Sequence, residues 1–214
     1  MKKGSKKTAK PKTSRNGSVG SRGIFASGSN TPDRVFFDYD KLKKCVDHCR
    51  GLGLSIVLTQ GSWDMAHIGH ARYFEEARRH GDLLIVGVDS DEKIRARKGP
   101  GRPVVPETER LEMLTHLRHV DVVVLKRLEY PKWHLIKTIR PDILWTVEET
   151  YTDKQRKELK KYCGDVLISP RMATTSTSAK IRMMQIHTAH KLKTTLTPQI
   201  MKVIEDVLDD KVGK

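Results

Sequence analysis

Short apolar runs alternate with amphipathic stretches along the chain from residue 38 onward. Runs that are typical of buried strands lie at 55–59, 83–88, 120–125, 143–147 and 166–169. Between them, apolar residues recur three and four positions apart, which predicts helices at 38–50, 68–80, 107–117, 131–140, 153–162 and 176–187. Continuous apolar strands separated by helices indicate a parallel sheet covered on both faces. We therefore predict an α/β fold with a doubly wound parallel sheet of about five strands.

The two ends of the chain depart from this alternation. Residues 1–32 hold eight Lys and Arg and no acidic residue, so we expect 1–34 to be a disordered basic tail. Near the other end, Thr197 and Pro198 favour the start of a final amphipathic helix. We thus expect a domain at 35–190 and a C-terminal helix at 191–214 that packs on the domain or on a dimer partner.

The net charge of +15 is divided between the tail and the rest of the chain. Residues 33–214 carry 33 basic and 26 acidic residues, a net +7, which is an ordinary balance for a globular domain. Nucleic-acid binding is therefore expected only through the tail, for which a solubilising extension is an equal alternative. No apolar run approaches the roughly 18 residues that span a membrane, so we expect no membrane partner.

The three cysteines of the chain give information about the redox compartment of the protein. They are too few for a disulfide scaffold and indicate a reducing, cytoplasmic location. Cys45, His48 and Cys49 offer half of a zinc site, but both cysteines lie on the apolar stripe of a predicted helix. We therefore favour core cysteines over a metal site.

The segment after the first predicted strand holds the densest candidate chemistry, G-S-W-D-M-A-H-I-G-H at 61–70. His67 and His70 face one way if His67 opens the following helix. Gly61 permits a tight turn, and Gly69 lets a ligand approach a helix N-terminus, which favours anions. The pattern indicates phosphate binding. The alternatives are a packing pair of histidines, or a metal site formed by Asp64 with the two histidines.

Two further segments suit phosphates. Residues 171–178, R-M-A-T-T-S-T-S, follow the last predicted strand and offer more hydroxyls than one helix cap requires. Residues 95–104 form a basic loop rich in Gly and Pro at the carboxyl end of the second strand. Taken alone, the first segment could be a capping cluster and the second a solvated basic loop.

In this order the segments resemble the cytidylyltransferase-like nucleotidyltransferase superfamily, with its H-x-G-H signature. Residues 61–70 resemble the family's G-x-F-D-x-x-H-x-G-H, 118–121 its R-Y-V-D, and 171–178 its R-T-E-G-I-S-T-T. K-G-P-G-R-P-V at 98–104 is most similar to the heptose 1-phosphate adenylyltransferases, and the glycerol-3-phosphate cytidylyltransferases form the neighbouring branch. The resemblance covers about residues 39–190.

The resemblance implies a Rossmann-like fold and the transfer of AMP or CMP from ATP or CTP to a sugar- or polyol-phosphate, with release of pyrophosphate. A phosphate monoester is already anionic, so in-line positioning and electrostatic stabilisation should dominate over base catalysis. Mg²⁺ would be carried by the nucleotide, with no protein metal site of its own. The partners implied are the NTP, a phosphorylated small molecule and a second subunit in a homodimer.

The resemblance also implies three groups of site residues. The catalytic group is His67, His70 and Lys98. The nucleotide-binding group is Gly61, Ser62, Trp63, Asp64, Gly69, Arg110, Asp121, Arg171, Thr175, Ser176, Thr177 and Ser178. The acceptor-binding group is Asp89, Lys98, Arg102, Glu148, Glu149 and Tyr151.

The chain departs from the family pattern after its fourth predicted strand. Glu148 and Glu149 stand where the family usually has Gly-Asp-Asp or Gly-Gly-Asp, and Thr174 replaces a glycine. These departures leave ATP and CTP both open as donors. They also leave two alternatives: a non-catalytic nucleotide sensor or nucleic-acid binder on the same fold, and a flavin- or pantetheine-type adenylyltransferase.

Overall fold

The computed structural model describes residues 28–170 and 177–212. In these residues six parallel strands form one sheet with the order β1-β4-β3-β2-β5-β6. The strands are β1 (Val35–Phe36), β2 (Ile56–Gly61), β3 (Leu83–Asp89), β4 (Val122–Lys126), β5 (Ile143–Thr146) and β6 (Asp165–Ile168). The helices are α1 (Thr31–Arg34), α2 (Tyr39–Gly51), α3 (Ile68–Arg78), α4 (Asp91–Lys98), α5 (Glu107–Thr115), α6 (His134–Ile139), α7 (Asp153–Leu159) and α8 (Thr177–Val212).

The predicted doubly wound α/β fold is confirmed, with one strand more than expected. The added strand, β1, pairs with β4 at the edge of the sheet and is only two residues long. From β2 the chain builds β3 and β4 on one side, then returns to place β5 on the other side. The winding reverses beside β2, and ligands of such sheets bind at the carboxyl ends of the strands there.

Apolar side chains fill both faces of the sheet. On one face, Leu58 and Ile85 belong to a cluster that includes residues of α2 and α6. On the other face, Val57 and Val86 belong to a cluster that includes residues of α3 and α5. All seven residues of β3 are buried, which explains why this strand has a continuous apolar run rather than an alternating one.

The packed structure begins before the expected tail boundary at residue 34. Arg34 is 7% exposed, and its guanidinium donates to the carbonyls of Ser29 at 2.9 Å, Thr115 at 2.6 Å and Asp121 at 3.0 Å. These bonds satisfy carbonyl groups at the ends of α5 and of the turn into β4. The expected basic tail therefore gives way to packed structure by residue 29, and residues 1–27 lie outside the described part.

Two predictions about local structure were wrong. Residues 95–98 belong to α4 rather than to a loop, because Ser90 caps this helix and it continues to Gly99, where φ is +89°. At the other end, Pro198 lies inside α8 instead of opening a separate helix. The side chains of Ile200 and Val203 are 56% and 61% exposed, so they do not pack on the domain. Packing on a second subunit stays a prediction. Among the described helices, none has the length and apolar character needed to cross a membrane.

Candidate active site

The loop after β2 turns tightly at the point where the winding reverses. Trp63 and Met65 both have φ of +52°, in the left-handed region that side chains rarely adopt. A Cβ at Gly61 would stand 3.1 Å from the Trp63 ring, so a side chain there would have to displace the ring slightly. The Trp63 indole N–H donates to the Gly87 carbonyl at 2.9 Å, and its ring packs against Phe74 and His70. Trp63 thus supports the ring of His70, and its predicted contact with the nucleotide stays a prediction.

The two histidines cap α3 reciprocally. His67 is the N-cap, and its Nδ1 accepts from the Gly69 N–H at 3.0 Å. The His70 Nδ1 accepts from the His67 N–H at 3.4 Å, and the two rings stack with centroids 4.1 Å apart. Because each Nδ1 accepts a hydrogen bond, the neutral form of each imidazole carries its proton on Nε2. The pair thus presents two N–H donors at a helix N-terminus, which favours anions.

Asp64 holds the basic loop against the histidine loop. Its side chain is buried and accepts from the backbone N–H groups of Val104 at 3.1 Å and Val105 at 3.0 Å. It also pairs with the Arg102 guanidinium at 3.1 Å. Asp64 therefore fixes the loop that carries Arg102, and its predicted nucleotide contact stays a prediction.

Lys98 reaches the site from the last turn of α4. Its Nζ donates to the Ser62 Oγ at 3.0 Å, which brings this cation to the loop that leads to the histidines. Partial burial, together with repulsion from Arg97 and Arg102, lowers the pKa of Lys98. The three residues predicted to be catalytic, His67, His70 and Lys98, therefore lie together at the carboxyl ends of the strands.

The side chain of Arg110 is buried and holds together the segments that follow β2 and β3. Its side chain is 1% exposed and donates to the Val105 carbonyl at 3.0 Å, the Asp89 carbonyl at 2.9 Å and the Asp91 carboxylate at 2.7 Å. A further short bond reaches the Ser62 carbonyl. With its donors turned inward, Arg110 joins the ends of β2 and β3 to α4. Its predicted contact with the nucleotide stays a prediction.

Known proteins share this sequence pattern and this fold. The family described as Cytidylyltransferase-like matches residues 58–196, well over half of the chain. The chain belongs to this family of nucleotidyltransferases. The resemblance that the motifs indicated is thereby confirmed.

Among curated relatives of this cytidylyltransferase-like chain, the bifunctional protein HldE of Methylobacillus flagellatus is 38% identical over 148 residues, or 68% of the chain and 30% of that protein. The bifunctional protein HldE of Syntrophotalea carbinolica is 43% identical over 105 residues, or 49% of the chain and 21% of that protein. The chain spans less than a third of the length of these relatives.

Two solved structures share the fold. One is a lipopolysaccharide core biosynthesis protein from Thermoplasma volcanium, with a TM-score of 0.50 and 24% identity, covering 56% of this chain and 98% of that one. The other is a pantoate-beta-alanine ligase from Francisella tularensis, in complex with an ATP compound and beta-alanine, with a TM-score of 0.51 and 13% identity. It covers 68% of this chain and 69% of that one.

Three of the residues predicted to bind the acceptor follow β5 in this cytidylyltransferase-like chain. Glu148 and Glu149 are exposed in a 3₁₀ turn, Glu148–Thr150, that directly follows this strand. Tyr151 is half-buried, and its hydroxyl accepts from the Gln60 amide at 2.6 Å. Burial raises the pKa of Tyr151 to about 12, so its phenol stays protonated and can donate. Sequence reasoning missed Gln60, although a polar residue at the end of an apolar strand is a usable signal.

Asp121 lies at the amino ends of the strands, immediately before β4. Its carboxylate accepts from the Leu84 N–H at 2.8 Å and pairs with Arg78 at 3.0 Å. Burial raises the pKa of Asp121, and the Leu84 hydrogen bond and Arg78 oppose that shift. Asp121 thus lies at the amino ends of the strands, away from the histidines, and its predicted nucleotide contact stays a prediction.

The phosphate segment at 171–178 falls largely outside the described residues. This applies to Arg171, Thr175 and Ser176, and to the side chains of Thr177 and Ser178. Their predicted nucleotide contacts stay predictions.

The metal alternatives find no support in the described part of the chain. No group of three or more His, Cys, Asp or Glu side chains there is arranged to hold a metal ion. Cys45 and Cys49 lie on α2, where Cys49 is buried in the core, and burial raises the pKa of Cys45 to about 11.

Proposed function

We propose that this chain transfers AMP or CMP from ATP or CTP to a sugar- or polyol-phosphate and releases pyrophosphate. The observation that carries the proposal is the reciprocal cap of His67 and His70. It presents two Nε2–H donors at the N-terminus of α3, beside the cationic side chain of Lys98. If the two histidines only packed against each other, a cation at the same loop would have no role, so the position of Lys98 favours anion binding.

In the proposed reaction an oxygen of the acceptor phosphate attacks the α-phosphorus in line. The new P–O bond forms as the bond to the β-phosphate oxygen breaks, and pyrophosphate leaves with that electron pair. Negative charge builds up on the oxygens of the α-phosphate, and donors aimed there stabilise the transition state. His67 and His70 supply two such donors without changing protonation state.

Lys98 and Arg102 reduce the repulsion between the two anionic reactants. Asp64 and Arg110 hold the loops that carry these cations, so the charges are positioned before substrate arrives. Such preorganisation avoids reorganising side chains during the reaction. The nucleophile is already ionised, so no strong base is needed.

Mg²⁺ is proposed as a companion of the nucleotide. The described residues fit this arrangement, because their candidate site is rich in cations and holds no cluster of metal ligands. The nucleotide phosphates would bind the ion, which offsets part of their charge.

The acceptor is proposed to be rich in hydroxyl groups. The exposed carboxylates of Glu148 and Glu149 accept hydrogen bonds, and the protonated Tyr151 can donate one. The motif at 98–104 and the HldE relatives support a heptose phosphate as the first acceptor to test. A homodimer is proposed as well, supported by exposed apolar side chains along α8 such as Leu196 and Ile200.

The test is pyrophosphate release with ATP or CTP across a panel of sugar and polyol phosphates. His67→Ala and His70→Ala should each lower kcat by about 10²-fold or more, because each removes a transition-state donor. His48→Ala, at an exposed position on α2, is the matched control and should retain full rate. Undiminished turnover in both site variants would exclude this mechanism. Nucleotide binding without turnover for any acceptor would favour the sensor alternative.

A further inference from the structure

Asp89 stands at the carboxyl end of β3 with a carboxylate that is 2% exposed. Its Oδ1 accepts from the Lys126 Nζ at 2.9 Å, and its Oδ2 accepts from the Arg97 guanidinium at 3.0 Å. Lys126 is its neighbour in the parallel register with β4. Both oxygens are therefore engaged by cations of the chain itself, which conflicts with the acceptor contact that the family resemblance implied.

Arg97 lies in the last turn of α4, which has little else to hold it to the sheet. Ile94 is the one buried residue among the eight of this helix. Its first turn is fixed by Asp91, which pairs with the Arg110 guanidinium at 2.7 Å. Its last turn is fixed by Arg97 and Asp89, and beyond it Gly99 and Gly101 leave the backbone few constraints.

Lys98 follows Arg97 directly and reaches Ser62 from this turn. We propose that Asp89 is a positioning residue that clamps the last turn of α4 and thereby delivers Lys98 to the histidine loop, with Lys126 as the buried counter-charge that holds Asp89 in place. The inference rests on the proposed function, which gives Lys98 its substrate phosphates. It assigns Asp89 and Lys126 no contact with substrate.

The charges around Lys98 make the clamp testable, because they set the pKa of this side chain. Arg97 and Arg102 face its ammonium group and lower its pKa in addition to burial, whereas Asp64 and Asp89 raise it. Release of the last turn in a variant that lacks the Asp89 carboxylate should expose Lys98 and raise its pKa towards the ordinary value, because burial is the largest cause of the shift. Loss of Arg97 should raise the pKa as well. If Asp89 acted on Lys98 through its charge alone, with the last turn still in place, loss of that charge would instead lower the pKa of Lys98 further.

The experiment compares Asp89→Asn and Arg97→Gln with Glu92→Gln as the matched control. Glu92 is an exposed acid on the same helix and does not face Lys98. Each of the first two variants should lower kcat by about 10-fold or more through misplacement of Lys98, with the KM for the acceptor phosphate within about twofold of wild type. The control should match wild type in both constants.

The second readout is the pH dependence of Lys98 acetylation by acetic anhydride, followed by mass spectrometry on the full chain. Both Asp89→Asn and Arg97→Gln should move the midpoint to higher pH, because each releases Lys98 from its partly buried position. This measurement does not require turnover, so it tests the clamp even if wild type transfers no nucleotidyl group to any acceptor. That last outcome would count against the proposed function alone.

Two results would overturn the clamp. One is an Asp89→Asn variant with unchanged kcat and a raised acceptor KM, which would make Asp89 a substrate contact. The other is a Lys98 midpoint that moves to lower pH in Asp89→Asn, which would show that Lys98 keeps its place when the Asp89 charge is lost. If Asp89→Asn does not fold, Arg97→Gln still decides, because Arg97 is 55% exposed and its loss leaves the buried Asp89–Lys126 pair intact.

Discussion

At the amino ends of the strands, three aspartates each accept a hydrogen bond from a backbone N–H at the start of a neighbouring strand. Asp82 bonds to Ser55, Asp121 to Leu84 and Asp142 to Ile56, each at 2.8 Å. At the carboxyl ends, Asp64, Asp89 and Asp91 all bind the side chains of arginine or lysine. The contrast is not complete, because Asp121 also pairs with Arg78 and Asp64 also accepts from backbone N–H groups. What the three amino-end aspartates share is a bond to the start of a strand, and what the three carboxyl-end aspartates share is a bound cation.

The difference follows from what each end of a parallel sheet exposes. At the amino end, N–H groups of the first residues lack partners, and a carboxylate satisfies them. At the carboxyl end the helix N-termini and loops gather to bind anions, and cations placed there need counter-charges to stay in position. Whether an aspartate precedes or follows a strand therefore indicates its role.

Removing a cation at the carboxyl end should have the largest effect. Lys98→Met should lower kcat/KM by about 10²-fold, because it removes a positive charge from the meeting point of two anions. Lys93→Met, on the same helix, is the control and should stay close to wild type. The measurement is the initial rate of pyrophosphate release. An equal loss in both variants would show that the effect is not specific to the site.

A smaller loss is expected when a carboxyl-end aspartate no longer holds its cation. Asp64→Asn should lower kcat/KM by about 10-fold, because the loop that carries Arg102 is released from the histidine loop. Limited proteolysis should show faster cleavage at 99–105, and cleavage elsewhere should be unchanged. Full activity with a protected loop would contradict the role given to Asp64.

Substitution at the amino end should spare the chemistry. Asp121→Ala should lower the free energy of unfolding by about 1–3 kcal/mol, because the Leu84 N–H and Arg78 lose their acceptor. Its kcat and the KM for the NTP should equal those of wild type. Urea denaturation and steady-state kinetics on one preparation test both statements. A raised KM for the NTP would restore Asp121 to the nucleotide site.

The smallest effect is a change in the pH dependence of stability. Hydrogen bonds from the Ser55 side chain and backbone lower the pKa of Asp82 in the folded state. Its contribution is therefore present above the unfolded value of 3.8 and is lost as the pH falls through the folded value. Asp82→Asn should show a smaller loss of stability than wild type between about pH 5 and pH 2. An equal loss of stability in both proteins over this pH range would contradict the role given to Asp82.

Sequence patterns were a good guide where a signal extended over several residues. The apolar runs of β2 to β6 are continuous, so the number of these strands and their positions along the chain could be predicted. β1 has only two residues, and α4 has one buried apolar residue, Ile94, in eight, so neither shows a periodicity. The break predicted at Pro198 failed because residues on both sides of it remain helical.

The candidate site was predicted in its location more than in its contacts. His67, His70 and Lys98 do converge, because strand ends and helix starts fix where their backbone lies. Arg110 and Asp121 match family positions, and such a match does not by itself separate substrate contacts from residues that hold the fold. Lys126 was missed, although a lysine that ends the run V-V-V-L is an unusual position that could have been noticed.

Arg34 sets a practical limit on how far the chain can be shortened from its amino end. A truncation that starts at residue 35 would follow the sequence-based boundary and would remove the guanidinium that serves the carbonyls of Thr115, Val120 and Asp121. The turn that leads into β4 would then lose its donors in the interior. A truncation that starts at residue 28 keeps Arg34 and its hydrogen bonds. It is therefore the better minimal domain for crystallisation and for fusion to other chains.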